Sequence, residues 1–222
     1  QNIIKEIVGS QDQISAAYGG LNYIKFTNKG NFVVKPINIS KEKIKNLEKK
    51  LMLFHTGIYR TAETVTKNYV KDFDKKSLYL EKMYSIVPQA MKILSKGNLD
   101  DFGHLLNETW LLKKNVSRYI SNYEINKIYD CGLKNGAYGG KLLGAGGGGF
   151  LIFYVPEKKQ KKVKEALSNL LYIPFKFENS GSQIIYDKPH KQYKKEEKIR
   201  LKQKLKTFRE LKKFWWKKIL KF

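Results

Sequence analysis

The chain has 222 residues, 41% hydrophobic and 13% aromatic, with a formal net charge of +24. That apolar content builds a core and excludes wholesale disorder. A lone cysteine, Cys131, excludes an internal disulfide, and His55, His104 and His190 lie far apart without ligand spacing. No apolar run approaches the ~20 residues of a membrane span and no signal-peptide pattern opens the chain, so a cytosolic, reducing location is expected. Residues 188–222 hold 15 Lys/Arg and 3 Asp/Glu, half of the net charge. Residue 1 is Gln on a helical-looking stretch, which reads as a piece of something longer.

In chain order, Gly9-Ser10 break the opening helix, Asp12 stands where a short second helix begins, and Gly19-Gly20 end it. Residues 21–26 and 32–37 read as strands joined by a turn at Asn28-Lys29-Gly30. Ser40 is a plausible N-cap for a helix over 41–49, and a strand over 51–55 ends at Thr56-Gly57. From Arg60 to about Asn135 the pattern is helical, with breaks near 72–74, 97–98 and 121–122. Leu78, Met83, Ile86, Val87, Met91 and Leu94 form one apolar face, and Leu105, Leu106, Thr109 and Leu112 another.

Past the helices, Gly139-Gly140-Lys141-Leu142-Leu143 leads into Gly144-Ala145-Gly146-Gly147-Gly148-Gly149, and the apolar strand 150–155 leaves it. Glycine loses the most backbone entropy on ordering, so such a run needs a reason. Either it is a flexible hairpin tip, or its amides turn inward to cradle an anion such as phosphate. A helix over 157–170 turns Val163, Leu167 and Leu170 inward, and 172–177 and 183–186 read as final strands. This split β-α-β order implies an α+β, ferredoxin-like layer. In the tail, Leu201, Leu205, Phe208, Leu211, Trp215, Ile219 and Phe222 fall at steps of three and four, making a basic amphipathic helix.

Four stretches in order carry a family resemblance: Gln11-Asp12-Gln13 with Tyr18-Gly19-Gly20-Leu21-Asn22, then residues 53–60, 139–150 and 173–177. With these the chain, from residue 1 to about Asp187, resembles the C-terminal portion of the GHMP sugar and mevalonate kinases. Within that superfamily it looks most like the D-glycero-D-manno-heptose 7-phosphate kinases of bacterial surface-polysaccharide synthesis. The resemblance implies that residues 1–39 end a ribosomal S5-like N-terminal domain, 40–187 form the C-terminal domain, and 188–222 are a basic tail outside the family. It implies a cytoplasmic phosphotransferase using ATP and Mg²⁺ on the anomeric hydroxyl of the heptose phosphate.

The resemblance also assigns roles. Asp12 becomes the group that orients or deprotonates the attacking hydroxyl; on position alone it reads equally as a helix cap. Gln11, Gln13, Thr56, Gly57 and Arg60 fall on the substrate side, Arg60 suited to forking onto the substrate's phosphate or to a surface pair with Glu63. Gly144, Ala145, Gly146, Gly147, Gly148 and Gly149 match the family's third motif, beside the phosphate-binding loop. Lys141 either supplies charge to a phosphate or snorkels from a strand edge. No residues look like metal ligands. The family's main ATP loop and magnesium-binding Glu are absent from these residues, so this chain alone is expected to be inactive.

Other readings stay open: a galactose, fucose or mevalonate kinase, a degenerate relic, or a basic RNA-binding α+β domain. Against the last, the strands lack the aromatic–basic pattern such domains use, and no nucleic-acid partner is expected. The tail suits a peripheral contact with anionic lipid or docking on another domain or subunit, a homo-oligomer among them.

Overall fold

In a computed structural model, residues 9–59, 73–187 and 194–203 are described. Contacts divide the chain into two compact units, 1–183 and 184–222. In the first, short polar side chains start the helices. Ser40 Oγ accepts from the Lys43 amide (3.2 Å), Asn98 Oδ1 from Asp100 (3.1 Å) and Asn122 Oδ1 from Ile125 (2.9 Å), each satisfying an amide that the first helical turn leaves unpaired.

The elements, in order, are α1 (Gln11–Tyr18), β1 (Asn22–Phe26), β2 (Phe32–Pro36), α2 (Lys41–Lys50), β3 (Leu51–His55), α3 (Phe73–Lys96), α4 (Leu99–Val116), α5 (Tyr123–Lys134), β4 (Gly139–Leu142), β5 (Phe150–Tyr154), α6 (Glu157–Ala166) and β6 (Leu171–Ile173). β1 and β2 form a separate antiparallel hairpin, while the main sheet has the order β4-β5-β3-β6, every neighbouring pair antiparallel. This is the α+β, split β-α-β arrangement expected from the element order. In register, Leu51 faces Tyr154 and His55 faces Phe150.

Both faces of the sheet are covered. Met52, Phe54, Leu151, Phe153 and Val155 join one core with Trp110, Ile125, Tyr129 and Val163, whereas Leu51 and Tyr154 join another with Leu47, Leu94 and Leu99. Successive strand residues point to opposite faces. Burial on both therefore makes residues 150–155 an unbroken apolar run instead of an alternating one.

Several expectations need correction. The last sheet strand stops at Ile173, because Pro174 has no N–H to continue the ladder. Residues 183–186 form no strand, and Ile184, Ile185 and Tyr186 are exposed; apolarity makes no strand where no ladder partner lies alongside. The helix expected to reach Leu170 ends at Ala166, and the chain closes with tighter turns, Ser168 N–H to Glu165 and Leu170 N–H to Leu167. On α3 the packed face runs through Tyr79, Met83, Ile86, Ala90 and Leu94, leaving Leu78 and Val87 exposed. In the second unit α7 (Lys194–Lys202) carries exposed Ile199 and Leu201. The rest of the expected tail stripe, from Leu205 onward, lies outside the described residues.

Three ties hold α4 to the sheet. At its start, Asp100 accepts from Lys50 Nζ and from Tyr154 Oη, both at 2.8 Å. At its middle, Gly139 of β4 lies so close that a Cβ there would overlap the Gly103 carbonyl and the Asn107 backbone. Tyr129 Oη of α5 closes the same corner, on Asn107 Oδ1 (2.8 Å) and the Gly140 carbonyl (3.2 Å). At its far end, Lys113 reaches the loop that follows β4.

Gly139→Ala should therefore lose about 1–3 kcal/mol of stability by overpacking, read as a lower urea midpoint; an unchanged midpoint would refute the close approach. The hydrogen bond from Lys50, chiefly, holds the Asp100 carboxyl below its ordinary value, with Tyr154 adding to it. A depressed carboxyl pKa gives stability above the unfolded value that is lost as pH falls through the folded one. Asp100→Asn should cost about 1 kcal/mol near neutrality, since solvent screens this partly exposed pair. Its deficit relative to the parent should shrink as pH drops below ~4, the ordinary carboxylate range.

Candidate functional site

The glycine loop between β4 and β5 is held by the backbone on both flanks. The Gly147 amide donates to Ile120 O and the Gly149 amide to Ile58 O, both at 2.9 Å, and Gly149 O accepts from the Thr56 amide and hydroxyl, both at 2.8 Å. Gly146 has φ +115°, a conformation closed to most side chains, and a Cβ on it would overlap the Ile120 backbone. A Cβ on Gly148 would strike Ile58 O. The loop is thus a fitted segment wedged between two turns, and the flexible-tip reading fails for residues 146–149. The amides of Gly144, Ala145, Gly146 and Gly148 make no hydrogen bond among the described residues.

Thr56 is buried and its hydroxyl also accepts from the Ile58 amide (3.3 Å), so it fastens the loop; Gly57 follows at φ +72° and is exposed. Arg60 lies outside the described residues. His55 packs against Phe150 and Tyr59, and His104 stacks on Tyr138.

Asp12 lies in the first turn of α1, where the helix dipole favours a carboxylate. Ser10 occupies the cap position. Asp12, Gln11 and Gln13 are exposed, and the Gln13 amide turns back to the Gly9 and Ser10 carbonyls. The helix is seated by Ile14, which is buried, and by its C-terminal end. There Gly20 N–H donates to Glu178 O (2.7 Å) and Ser182 N–H to Ala17 O (3.0 Å).

The residue that joins these pieces is Lys113, near the end of α4. Its Nζ donates to Gly144 O at 2.7 Å. Burial is the main cause that pushes its pKa down, to about 8; the ammonium of Lys141 pushes the same way and the Asp12 carboxylate partly offsets both. Asp12, Lys113, Lys141 and the mouth of the glycine loop therefore share one electrostatic neighbourhood. Burial likewise lowers the Lys141 pKa. The lysine next to Lys113 in sequence behaves differently: Lys114 lies over the rings of Trp110 and Tyr129, both at 6.0 Å, and donates to Asn126.

Sequence reasoning passed over Lys113. The signal was present, since Lys113 continues the stripe of Leu105, Leu106, Thr109 and Leu112 at the same helical phase. A lysine in phase with a buried face is a better candidate than one on a solvated face. An apolar groove of about 280 Å³ between β1, α3 and α4 is lined by Tyr23, Ile37, Ile86, Leu94, Phe102 and Leu105 among others, none of them charged. It does not suit a phosphate.

Comparisons with known proteins bear on the family and the fold. Residues 90–173 match the family described as GHMP kinases C terminal. The chain is 37% identical over 179 residues to a D-glycero-alpha-D-manno-heptose 7-phosphate kinase of Campylobacter jejuni, covering 78% of this chain and 52% of that protein. A D-glycero-D-manno-heptose 1-phosphate kinase structure from Bacteroides thetaiotaomicron superposes with a TM-score of 0.51 at 27% identity, covering 81% of this chain and 50% of that one. An L. major mevalonate kinase structure shares the fold, with a TM-score of 0.59 at 24% identity, over 78% of this chain and 53% of that one. The chain carries a GHMP kinase C-terminal domain. It spans about half the length of the heptose kinase and of these two solved chains.

The neighbourhood is testable through its charges. Lys113 should titrate near pH 8, followed by NMR of its side-chain methylene or by its acylation rate against pH. Asp12→Asn removes the charge that favours the ammonium and should move the midpoint down. Lys141→Gln removes a repelling charge and should move it up. No response to Asp12→Asn would put Asp12 out of reach of the loop.

Proposed function

We propose that this chain is part of a cytoplasmic sugar-phosphate kinase that transfers phosphate from ATP to the anomeric hydroxyl of D-glycero-D-manno-heptose 7-phosphate, giving the 1,7-bisphosphate. The observation that carries the reading is the fitted glycine loop, whose Gly144 carbonyl accepts from Lys113 Nζ, the lysine whose charge the Asp12 carboxylate favours. The 37% identity to a heptose 7-phosphate kinase supports this sugar over the other GHMP substrates.

In this reading Asp12 orients the attacking hydroxyl and accepts its proton. Its exposure keeps a sugar within reach. Phosphoryl transfer makes few covalent demands on a protein; it needs alignment and neutralisation of the charge on the moving group. The fitted glycine loop serves alignment. Mg²⁺ binds through one or two carboxylates and substrate phosphates. In this reading the ion arrives with the nucleotide. Gln11, Gln13, Gly57 and Arg60 remain the proposed substrate-side residues, and Thr56 supports them by fixing the loop.

The test joins residues 9–187 to the N-terminal half of the C. jejuni relative and assays phosphorylation of heptose 7-phosphate, galactose, fucose and mevalonate. Heptose 7-phosphate should be the preferred acceptor, with the 222-residue chain alone turning over none. Asp12→Asn in the chimera should lower kcat by about 10²–10⁴-fold, the range of a lost general base. Preference for an unphosphorylated sugar, or an unaffected Asp12→Asn variant, would overturn the reading.

A further inference from the structure

Helices α2 and α6 together carry ten lysines and four glutamates. Part of that charge is occupied within the fold. Lys43 Nζ donates to the carbonyls of Ile93 and Gly97, Lys50 pairs with Asp100, and Lys159 and Lys164 lie over the rings of Tyr138 and Tyr172. Lys161 has Glu157 and Glu165 four residues to either side, a spacing that offsets its charge. Five lysines are left, Lys41, Lys45 and Lys49 on α2 and Lys158 and Lys162 on α6. All five are exposed, and among the described residues none makes an ion pair. Each set places like charges four residues apart, which destabilises a helix. Lys41 and Lys158 also stand in first turns, where the helix dipole disfavours a cation. The two helices meet, since Gln160 Nε2 donates to the Lys49 carbonyl. They do so at the end of the sheet where Leu51 faces Tyr154; the glycine loop lies at the other end, where His55 faces Phe150. Four strand steps of ~3.3 Å, roughly 13 Å, separate the two ends.

We propose that Lys41, Lys45, Lys49, Lys158 and Lys162 form a docking face for an anionic lipid surface, at the end of the sheet away from the glycine loop. The chemistry of the face selects this partner. Neither helix has an arginine to fork onto one phosphate or an aromatic ring on which a base could stack. Lysines are point charges on flexible stems, and a headgroup layer is a diffuse negative field that such charges read in sum. No large apolar side chain of α2 or α6 is exposed, so the contact is electrostatic and reversible. The basic tail is a second element of the same chemistry, and two weak signals hold a peripheral protein where one does not. The face stands independently of the kinase reading, and its position leaves the loop free.

The test is co-sedimentation of the 222-residue chain with phosphatidylcholine vesicles, with and without phosphatidylserine. Binding should require phosphatidylserine and be lost in high salt. The triple variant K45Q/K49Q/K158Q should lower the partition coefficient about tenfold or more, from the loss of three charges near the surface. The triple variant K25Q/K29Q/K35Q removes the same charge from the exposed β1–β2 hairpin and should bind like the parent. Thermal unfolding of both variants separates lost binding from lost fold. No binding to phosphatidylserine vesicles, an equal loss in the two folded variants, or a face variant that binds like the parent overturns the proposal. Binding of a single-stranded RNA that the face variant loses, without vesicle binding, overturns it too and assigns the face to nucleic acid.

Discussion

The arrangement depends on how closely β4 approaches α4. Gly139 sits where a single Cβ would strike the Gly103 carbonyl, so strand and helix run side by side at backbone distance. Along α4 each residue advances ~1.5 Å, and along a strand ~3.3 Å. Eight residues of helix from the Gly103–Asn107 contact to Lys113 therefore cover about the same ground as the five residues from Gly139 to Gly144, roughly 12–16 Å. Running in one direction from a shared contact, the two elements deliver the Lys113 ammonium and the first loop glycine to the same point. The 2.7 Å hydrogen bond between them is the result.

That construction explains why the loop's glycines differ in what they do. Gly139 and Gly140 permit proximity to helix and strand neighbours, whereas Gly146 and Gly148 let the loop pass against the turns at Ile120 and Ile58. Gly144 adds a carbonyl to the lysine and, like Ala145, an amide without a hydrogen bond among the described residues. The entropic cost of ordering five loop glycines is offset by the hydrogen bonds from Gly147, Gly149 and Thr56. A solvated linker would have no such partners.

Much of the architecture was legible because it follows from local rules. Ser40 reads as a cap and accepts the expected amide; the strand 51–55 and the strand–loop–strand around the glycines stand where periodicity put them. What the sequence hid depends on tertiary geometry. Nothing local says that Lys113 points at Gly144 while Lys114 covers Trp110 and Tyr129, since the two differ by one helical step of ~100°. Nor does the sequence reveal that the Thr56 hydroxyl is occupied by a backbone carbonyl 93 residues away. The misread ends, at 174–177 and 183–186, came from counting apolar residues without asking which strand edge could receive them.

Lysines 113 and 141 also shape the electrostatics beside the loop. Their like charges oppose each other at Lys113, and burial weakens the hold of each on its proton. Lys113 therefore holds its proton less tightly than a solvated lysine does. Asp12 moderates this effect, because its carboxylate already favours the ammonium. The carboxylate proposed to receive a proton from the sugar thus also helps keep the Lys113 ammonium charged. The two roles are joined by electrostatics across one helix end and one loop.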